Sequence, residues 1–182
     1  MISVFIGAIL TLFTTSGYDL IKENREREKL ANILYIEVQN NLLNVYVMLN
    51  QIGTREEFIK WEGYVANNFD FRILNASIKD VQLLSTIENR NIFDFYEDLS
   101  KADEAKNMLA VTPRANKEFW LGRIYDNYLH SIKYGKFIMS DFEKTYNIHP
   151  SEEIKEDINK LEKKILKSNP DLNSKIIEGP VL

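Results

Sequence analysis

The sequence has no cysteine, and this absence excludes several kinds of functional site. Without a thiol the chain can form no disulfide framework, no cysteine-ligated zinc site and no cysteine nucleophile. Only two histidines occur in 182 residues. His130 follows Asp126 by four positions, which predicts a surface Asp–His pair, and His149 precedes Pro150 in an expected loop. The sequence also lacks a phosphate-binding glycine loop, a Gly-x-Ser-x-Gly motif and a Glu-x-x-His motif. We therefore predict no catalytic residue, no cofactor, no metal site and no enzymatic activity.

Glycine and proline are scarce, with 7 and 4 residues. This composition favours long helices over turns and sheets. Acidic residues outnumber basic ones by 27 to 23, and the net charge of −4 argues against general nucleic-acid binding.

Charged side chains are missing from the first eighteen residues, and the first charge is Asp19. A bilayer core of about 30 Å needs roughly 20 apolar residues in a helix. Leu20 and Ile21 extend the stretch to that length, so residues 1–21 are predicted to be a transmembrane anchor. Two alternatives stay open, a buried core helix of a soluble protein and a cleaved signal peptide. A signal peptide usually begins with a positive charge, and none precedes Lys22.

The residues after the anchor indicate its orientation. Lys22, Arg25, Arg27 and Lys29 follow closely, and cations accumulate on the cytoplasmic side of membrane helices. We expect a single-pass membrane protein with its N-terminus outside and its main domain in the cytoplasm.

Small residues recur at every fourth position of the anchor: Ser3, Gly7, Thr11 and Thr15. This spacing places them on one face of a helix, where small side chains let membrane helices approach closely. The pattern predicts a homo-oligomer through the membrane helix, although these residue types are also simply frequent in the segment.

Residues 22–168 are predicted to form a cytoplasmic helical bundle, followed by a tail over 169–182. The first helix is expected to continue from the anchor to about Gln51. Its core stripe is Leu30, Leu34, Val38, Leu42, Val45 and Leu49, and a second row widens the core-facing surface: Ile33, Ile36, Leu43 and Val47.

Further helices are predicted over 54–67, 77–88, 92–109, 112–147 and 150–168, with a break at 89–91. Thr54 and Glu57 form a capping box, and Thr112 with Pro113 marks another helix start. The segment 67–75 is predicted to be irregular. The fold class is therefore all-α, a bundle of five or six helices with the transmembrane helix continuous with the first of them.

Two polar residues fall at the edge of the apolar stripe, Glu37 and Asn41. A buried carboxylate is costly unless it is paired. We predict a buried polar network that joins them to an Arg, Lys or Tyr of another helix. The alternatives are an exposed rim position and a ligand-binding or catalytic role. The aromatic series of 93–96 and 119–128 is interpreted as core, with a partner groove as the alternative.

Two segments carry a resemblance, LANILYIEVQNNL (30–42) and IENRNIFDFYEDL (87–99). With the anchor and the charged segment before them, they make residues 1–100 resemble a loose group of uncharacterised prokaryotic membrane-anchored helical proteins. The resemblance implies an anchored bundle and implies no activity.

The sequence favours a non-enzymatic, membrane-tethered interaction module, such as a scaffold, sensor or accessory subunit. Its expected contacts are the lipid bilayer and an unidentified protein partner. The alternative is a self-associating effector that perturbs the bilayer under stress or infection.

Overall fold

The computed structural model of the chain describes residues 2–60, 69–113 and 116–168, and it describes their side chains apart from those of 2–17, 52 and 168. Within these ranges every regular element is a helix. The six α-helices are α1 (Ile2–Ile52), α2 (Arg55–Ile59), α3 (Arg72–Ser77), α4 (Thr86–Val111), α5 (Lys117–Tyr146) and α6 (Glu152–Ser168). A 3₁₀ turn over Val81–Leu83 links α3 to α4. The all-helical bundle predicted from the sequence is confirmed for this part of the chain.

Helices α4 and α5 form the most extensive pair, and α5 also packs along α1. Gly135 of α5 lies where these three helices cross. A Cβ atom added there would be 2.9 Å from Phe95 of α4 and 3.2 Å from Leu42 of α1. The Tyr35–Glu143 hydrogen bond joins α1 to α5 about two helical turns from this crossing. Because residue numbers rise along α1 as they fall along α5, the two helices are antiparallel.

The predicted core stripe of α1, from Leu30 to Leu49, is buried. The predicted second row was wrong for Ile33 and Ile36, which are 41% and 47% exposed, whereas Leu43 packs against the core and Val47 is partly buried. Helices α5 and α6, together with α3 and the 3₁₀ turn, pack on the other faces of α1. Ile33 borders a cavity that Ser77, Asp80 and Leu83 also line, so the exposed part of the row lies beside α3 and the 3₁₀ turn.

Local hydrogen bonding explains where α4 begins. The sequence predicted a helix from Ser77 and a break at 89–91, but α3 ends at Ser77 and α4 runs unbroken through 89–91. Ser85 and Glu88 form a capping box that fixes the start of α4 just before the asparagines. The Asn89 side chain then donates to the Leu84 carbonyl oxygen, so it supports the first turn and does not interrupt it.

The predicted helix start at Thr112 was also wrong. The Thr112 hydroxyl donates to the Met108 carbonyl oxygen at 2.6 Å, so Thr112 ends α4. Helix α5 begins at Lys117 and stops at Asn147, which adopts the left-handed conformation.

Part of the predicted helix 54–67 is present as α2, and residues 61–68 lie outside the described part, as does the predicted tail 169–182.

Candidate functional site

Glu37 is a buried carboxylate that caps a helix belonging to another part of the chain. Its side chain is 2% exposed. It accepts hydrogen bonds from the backbone amides of Ile73 (2.7 Å) and Leu74 (3.2 Å), in the first turn of α3. The residue before α3, Phe71, offers no side-chain cap. Asp70 Oδ1 accepts the first amide of α3, that of Arg72, at 3.0 Å. Glu37 supplies from α1 the acceptor for the next two amides, and its negative charge suits the positive end of a helix.

Tyr96 completes the coordination of this carboxylate. Its hydroxyl, on α4, donates to Glu37 Oε1 at 2.5 Å. Burial and the adjacent Glu37 carboxylate raise the pKa of Tyr96 well above its ordinary value. The phenol consequently stays neutral and keeps its proton for the hydrogen bond. Glu37 has three donors, and this arrangement joins α1, α3 and α4.

Asn41 makes the second half of the network one helical turn further along α1. Its amide nitrogen donates to the Asp70 carbonyl oxygen (2.7 Å), and its carbonyl oxygen accepts from the Asp70 amide (2.8 Å). The Asp70 side chain pairs with Arg72, whose guanidinium holds the pKa of that carboxyl down to about 2. Glu37 and Asn41 together fix the backbone of 70–74 against α1.

A groove of about 510 Å³ opens beside this network, between α3 and α4. Among the described residues the walls are mostly apolar, and Glu97 is the one charged residue that lines them: Phe71, Leu74, Asn75, Ile78, Phe93, Tyr96, Glu97 and Ser100. At its surface Ile78 is 51% exposed and Phe93 is 43% exposed. The polar groups beneath the groove, Tyr96 and Glu37, are already hydrogen-bonded to each other.

A second exposed apolar area lies around the junction of α4 and α5. Val111 is 76% exposed and Phe119 is 61% exposed. The Arg123 guanidinium lies 5.9 Å from the Phe119 ring centroid and 5.7 Å from that of Trp120. The aromatic residues of 93–96 and 119–128 were predicted to be core. Four of them are buried, namely Phe95, Tyr96, Tyr125 and Tyr128. The prediction was wrong for Phe93 and Phe119, which are exposed. Phe119 lies in the first turn of α5, which the sequence predicted to begin at Thr112, so no local signal marked it as exposed.

The predicted Asp126–His130 surface pair does not form, because Asp126 has another partner. Its carboxylate binds the Arg55 guanidinium of α2 at 3.0 and 3.1 Å. His130 is exposed. Across the described residues no group of three or more His, Asp or Glu side chains is placed to hold a metal ion.

Asp98 is a buried carboxylate outside the Glu37 network. Its side chain is 7% exposed on α4. Burial raises its pKa to about 6, and the charges of His130 and Lys101 offset part of that effect. Asp98 was not singled out in the sequence, since its burial depends on how α4 packs against α5.

The segment that precedes the bundle is a helix exposed on nearly every side. Residues 18–29 belong to α1, and only Arg27 among them is partly buried. We call this stretch the neck. In the described part of the chain, no helix combines the length and the apolar character needed to cross a membrane. The backbone of 2–17 is helical, while the side chains of Ser3, Gly7, Thr11 and Thr15 lie outside the described part.

Comparison of the chain with protein-family models, with curated proteins and with solved structures yields no match to any of the three.

Proposed function

We propose that the protein is a membrane-tethered interaction module without enzymatic activity, which presents its helical bundle on the cytoplasmic side. The observation that carries the proposal is the continuity of α1, a single helix from Ile2 to Ile52. Its uncharged first part leads out of the bundle through the exposed neck, and cations follow directly after it. A membrane helix that continues into a folded domain would hold that domain close to the bilayer.

Binding is favoured over catalysis by the state of the buried polar groups. The carboxylate of Glu37 and the amide of Asn41 are engaged by backbone groups of 70–74, and Tyr96 donates to Glu37. These groups act as structural links between helices. Exposed apolar residues lie elsewhere, among them those of the groove beside α3 and those around Phe119, and such surfaces suit protein partners. Residues 30–42 and 87–99, which carry the resemblance to membrane-anchored helical proteins, lie on α1 and α4. We propose that the chain shares the anchored bundle that this resemblance implies.

Membrane fractionation of the full-length chain tests the tether. We expect the protein to stay with membranes after alkaline carbonate extraction. The double variant Ile6→Lys/Leu10→Lys should release it, because charges at a helix centre cost about 2.5–3.5 kcal/mol each in a bilayer. The control Ile33→Lys/Ile36→Lys changes exposed residues of the bundle and should remain membrane-bound. Wild-type protein that carbonate extracts completely would contradict the proposal.

Orientation can be measured on the same samples, because the chain has no cysteine of its own. A cysteine placed at Lys160, in α6, should react with a membrane-impermeant maleimide only after cells are opened. Labelling of intact cells would place the bundle outside and overturn the cytoplasmic assignment.

The second candidate is a self-associating effector that perturbs the bilayer. The helical backbone of 2–17 favours it, because four-residue spacing then places Ser3, Gly7, Thr11 and Thr15 on one face. Replacing Gly7 with Ile should abolish both oligomers and toxicity, whereas Ala8→Ile, off that face, should not. Oligomers that persist in Gly7→Ile would count against this candidate.

A further inference from the structure

Three cations of the neck lie together on one side of the helix. At about 100° per residue, Lys22, Arg25 and Lys29 fall within about 60° of one another around α1. All three side chains are exposed. We call this surface the basic face. The neck has as many acidic as basic residues, but its other charges lie beside the basic face or on the opposite side of the helix: Asp19, Glu23, Glu26, Arg27 and Glu28.

Acidic neighbours leave most of this positive charge accessible. Arg25 forms no ion pair with any residue in the described part of the chain. Lys22 lies 4.0 Å from Glu26, and the two side chains are 63% and 51% exposed, so this pair holds Lys22 only weakly. Lys29 borders the cavity that Asp80 also lines, which offsets part of its charge. Lys22 and Arg25 therefore contribute most to the positive potential of the basic face.

Two exposed apolar side chains adjoin the basic face at its end nearer the N-terminus. Tyr18 is 69% exposed and Ile21 is 56% exposed. Together with the cations they line a shallow hollow of about 250 Å³: Tyr18, Ile21, Lys22, Arg25, Glu26 and Lys29. An aromatic and an aliphatic side chain followed by cations match the order of a membrane interface, where acyl chains give way to phosphate groups.

The cations lie at the level of the lipid headgroups if residues 1–21 span the bilayer. Arg25 is about 6 Å of helix beyond Ile21, and the headgroup layer on each side of a bilayer is about 5–8 Å thick. Lys29 is about 12 Å beyond Ile21, and its long side chain can reach back toward the membrane. We infer that the basic face binds the phosphate groups of anionic phospholipids. The inference rests on the proposed tether and adds to it a class of lipid.

The charge of the whole chain makes this a specific expectation. The net charge is −4, so the protein as a whole should be repelled by an acidic membrane. A preference for acidic lipid has to come from a local surface, because charges further from the membrane than about 10 Å are screened at 0.1 M salt. One Lys or Arg close to an anionic surface strengthens binding by about five-fold.

Energy transfer to labelled lipids measures the preference in the full-length protein. The natural chain has no thiol, so Asn24→Cys, which is exposed and lies outside the basic face, carries a single donor dye. The protein is reconstituted in phosphatidylcholine vesicles that contain a small fraction of acyl-chain-labelled phosphatidylglycerol or, in parallel, of labelled phosphatidylcholine. We expect the acidic lipid to be enriched about three-fold or more around the neck, and the enrichment to fall in high salt. Equal transfer to the two lipids would overturn the inference.

Charge variants of the labelled chain assign the preference to the basic face. Lys22→Gln/Arg25→Gln should remove most of the enrichment, and Glu26→Gln should increase it, because an acidic neighbour of the face is lost. Lys160→Gln/Lys163→Gln makes the same change in net charge at exposed positions of α6 and should leave the enrichment intact. All these residues are exposed, so the urea midpoint should stay nearly unchanged. Enrichment that persists in Lys22→Gln/Arg25→Gln, or that the α6 control loses equally, would contradict the assignment.

Flotation of the same vesicles keeps this inference distinct from the tether. Protein that stays with neutral vesicles but shows no lipid preference overturns the inference and leaves the tether intact. If neutral vesicles retain no protein, the tether is wrong, and flotation with phosphatidylglycerol vesicles then decides on the basic face. Retention that Lys22→Gln/Arg25→Gln abolishes supports lipid binding by this face. No retention, or retention that the variant keeps, overturns it.

Discussion

The hydroxyl of Tyr96 and the carboxylate of Glu37 lie 2.5 Å apart, although 59 residues separate them in the chain. The same carboxylate accepts two amides at the start of α3. Three helices that are distant in sequence therefore share one buried negative charge. The free energy of the fold should respond to this group more than to any exposed ion pair.

Replacing Glu37 with Gln tests that expectation. Glutamine keeps the size of the side chain but loses the charge that three donors share, so we expect a loss of about 2–3 kcal/mol in the free energy of unfolding. Tyr96→Phe removes one hydrogen bond and should cost about 1–2 kcal/mol. The double variant should cost less than the sum of the two, which urea unfolding can measure. Strict additivity would show that the two residues act independently.

Asn41→Ala removes the two hydrogen bonds that hold the Asp70 backbone. We expect a loss of about 2–3 kcal/mol, because the Asp70 amide and carbonyl lose their partners. Amide hydrogen exchange should also speed up across 70–77 before the rest of the protein. Asn32→Ala, at an exposed position of the same helix, is the matched control and should change stability by less than about 0.5 kcal/mol.

Replacing either of two α5 glycines with alanine should change the stability of the protein, but in opposite directions. At Gly135 an added Cβ would lie 2.9 Å from the Phe95 ring, inside the crossing of three helices. Overpacking there should cost about 1–3 kcal/mol despite the better helix propensity of alanine. At Gly122 the nearest atom is the flexible Arg55 guanidinium at 3.0 Å, so Gly122→Ala should be neutral or stabilising by up to about 1 kcal/mol. Thermal melts of both variants measure these changes in stability. Equal changes for the two variants would contradict the close approach of helices at Gly135.

Asp98→Asn should stabilise the protein in a pH-dependent way. The pKa of Asp98 rises from its ordinary value of 3.8 to about 6 in the fold, so the native state binds the proton more tightly than the unfolded state. Ionisation therefore destabilises the fold progressively as the pH rises from about 4 to 6, and the full cost is present above that range. At pH 7.5 the asparagine variant should gain about 1–3 kcal/mol, and near pH 4 it should gain almost nothing. Urea unfolding at both pH values, with exposed Glu104→Gln as control, measures the difference.

The helical periods of the sequence were enough to predict the class of fold. The stripe from Leu30 to Leu49 repeats over five turns, and each member is buried in the structure. Long, regular patterns of this kind leave little choice of secondary structure. The α2 start was equally clear, because Thr54 and Glu57 supply both hydrogen bonds of a capping box within four residues.

Helix α3 shows what such local patterns cannot supply. It has six residues, and Asp70 caps it locally by accepting the Arg72 amide. Its first turn is completed by Glu37, which lies 36 residues before Ile73. No window of sequence around 72–77 contains that information. The exposure of Ile33 and Ile36 could not be predicted either. An apolar stripe on a helix has the same sequence pattern whether it contacts its own chain or a second one.

The length of the neck sets both the distance and the rotation angle between the N-terminus and the helical bundle. A helix turns about 100° with each residue, so removing one residue between 22 and 29 would swing the bundle by that angle relative to the N-terminus. Removing seven would restore its direction to within about 20°. The direction in which the bundle faces its neighbours is therefore encoded by the number of residues in the neck, and their chemical identity contributes much less.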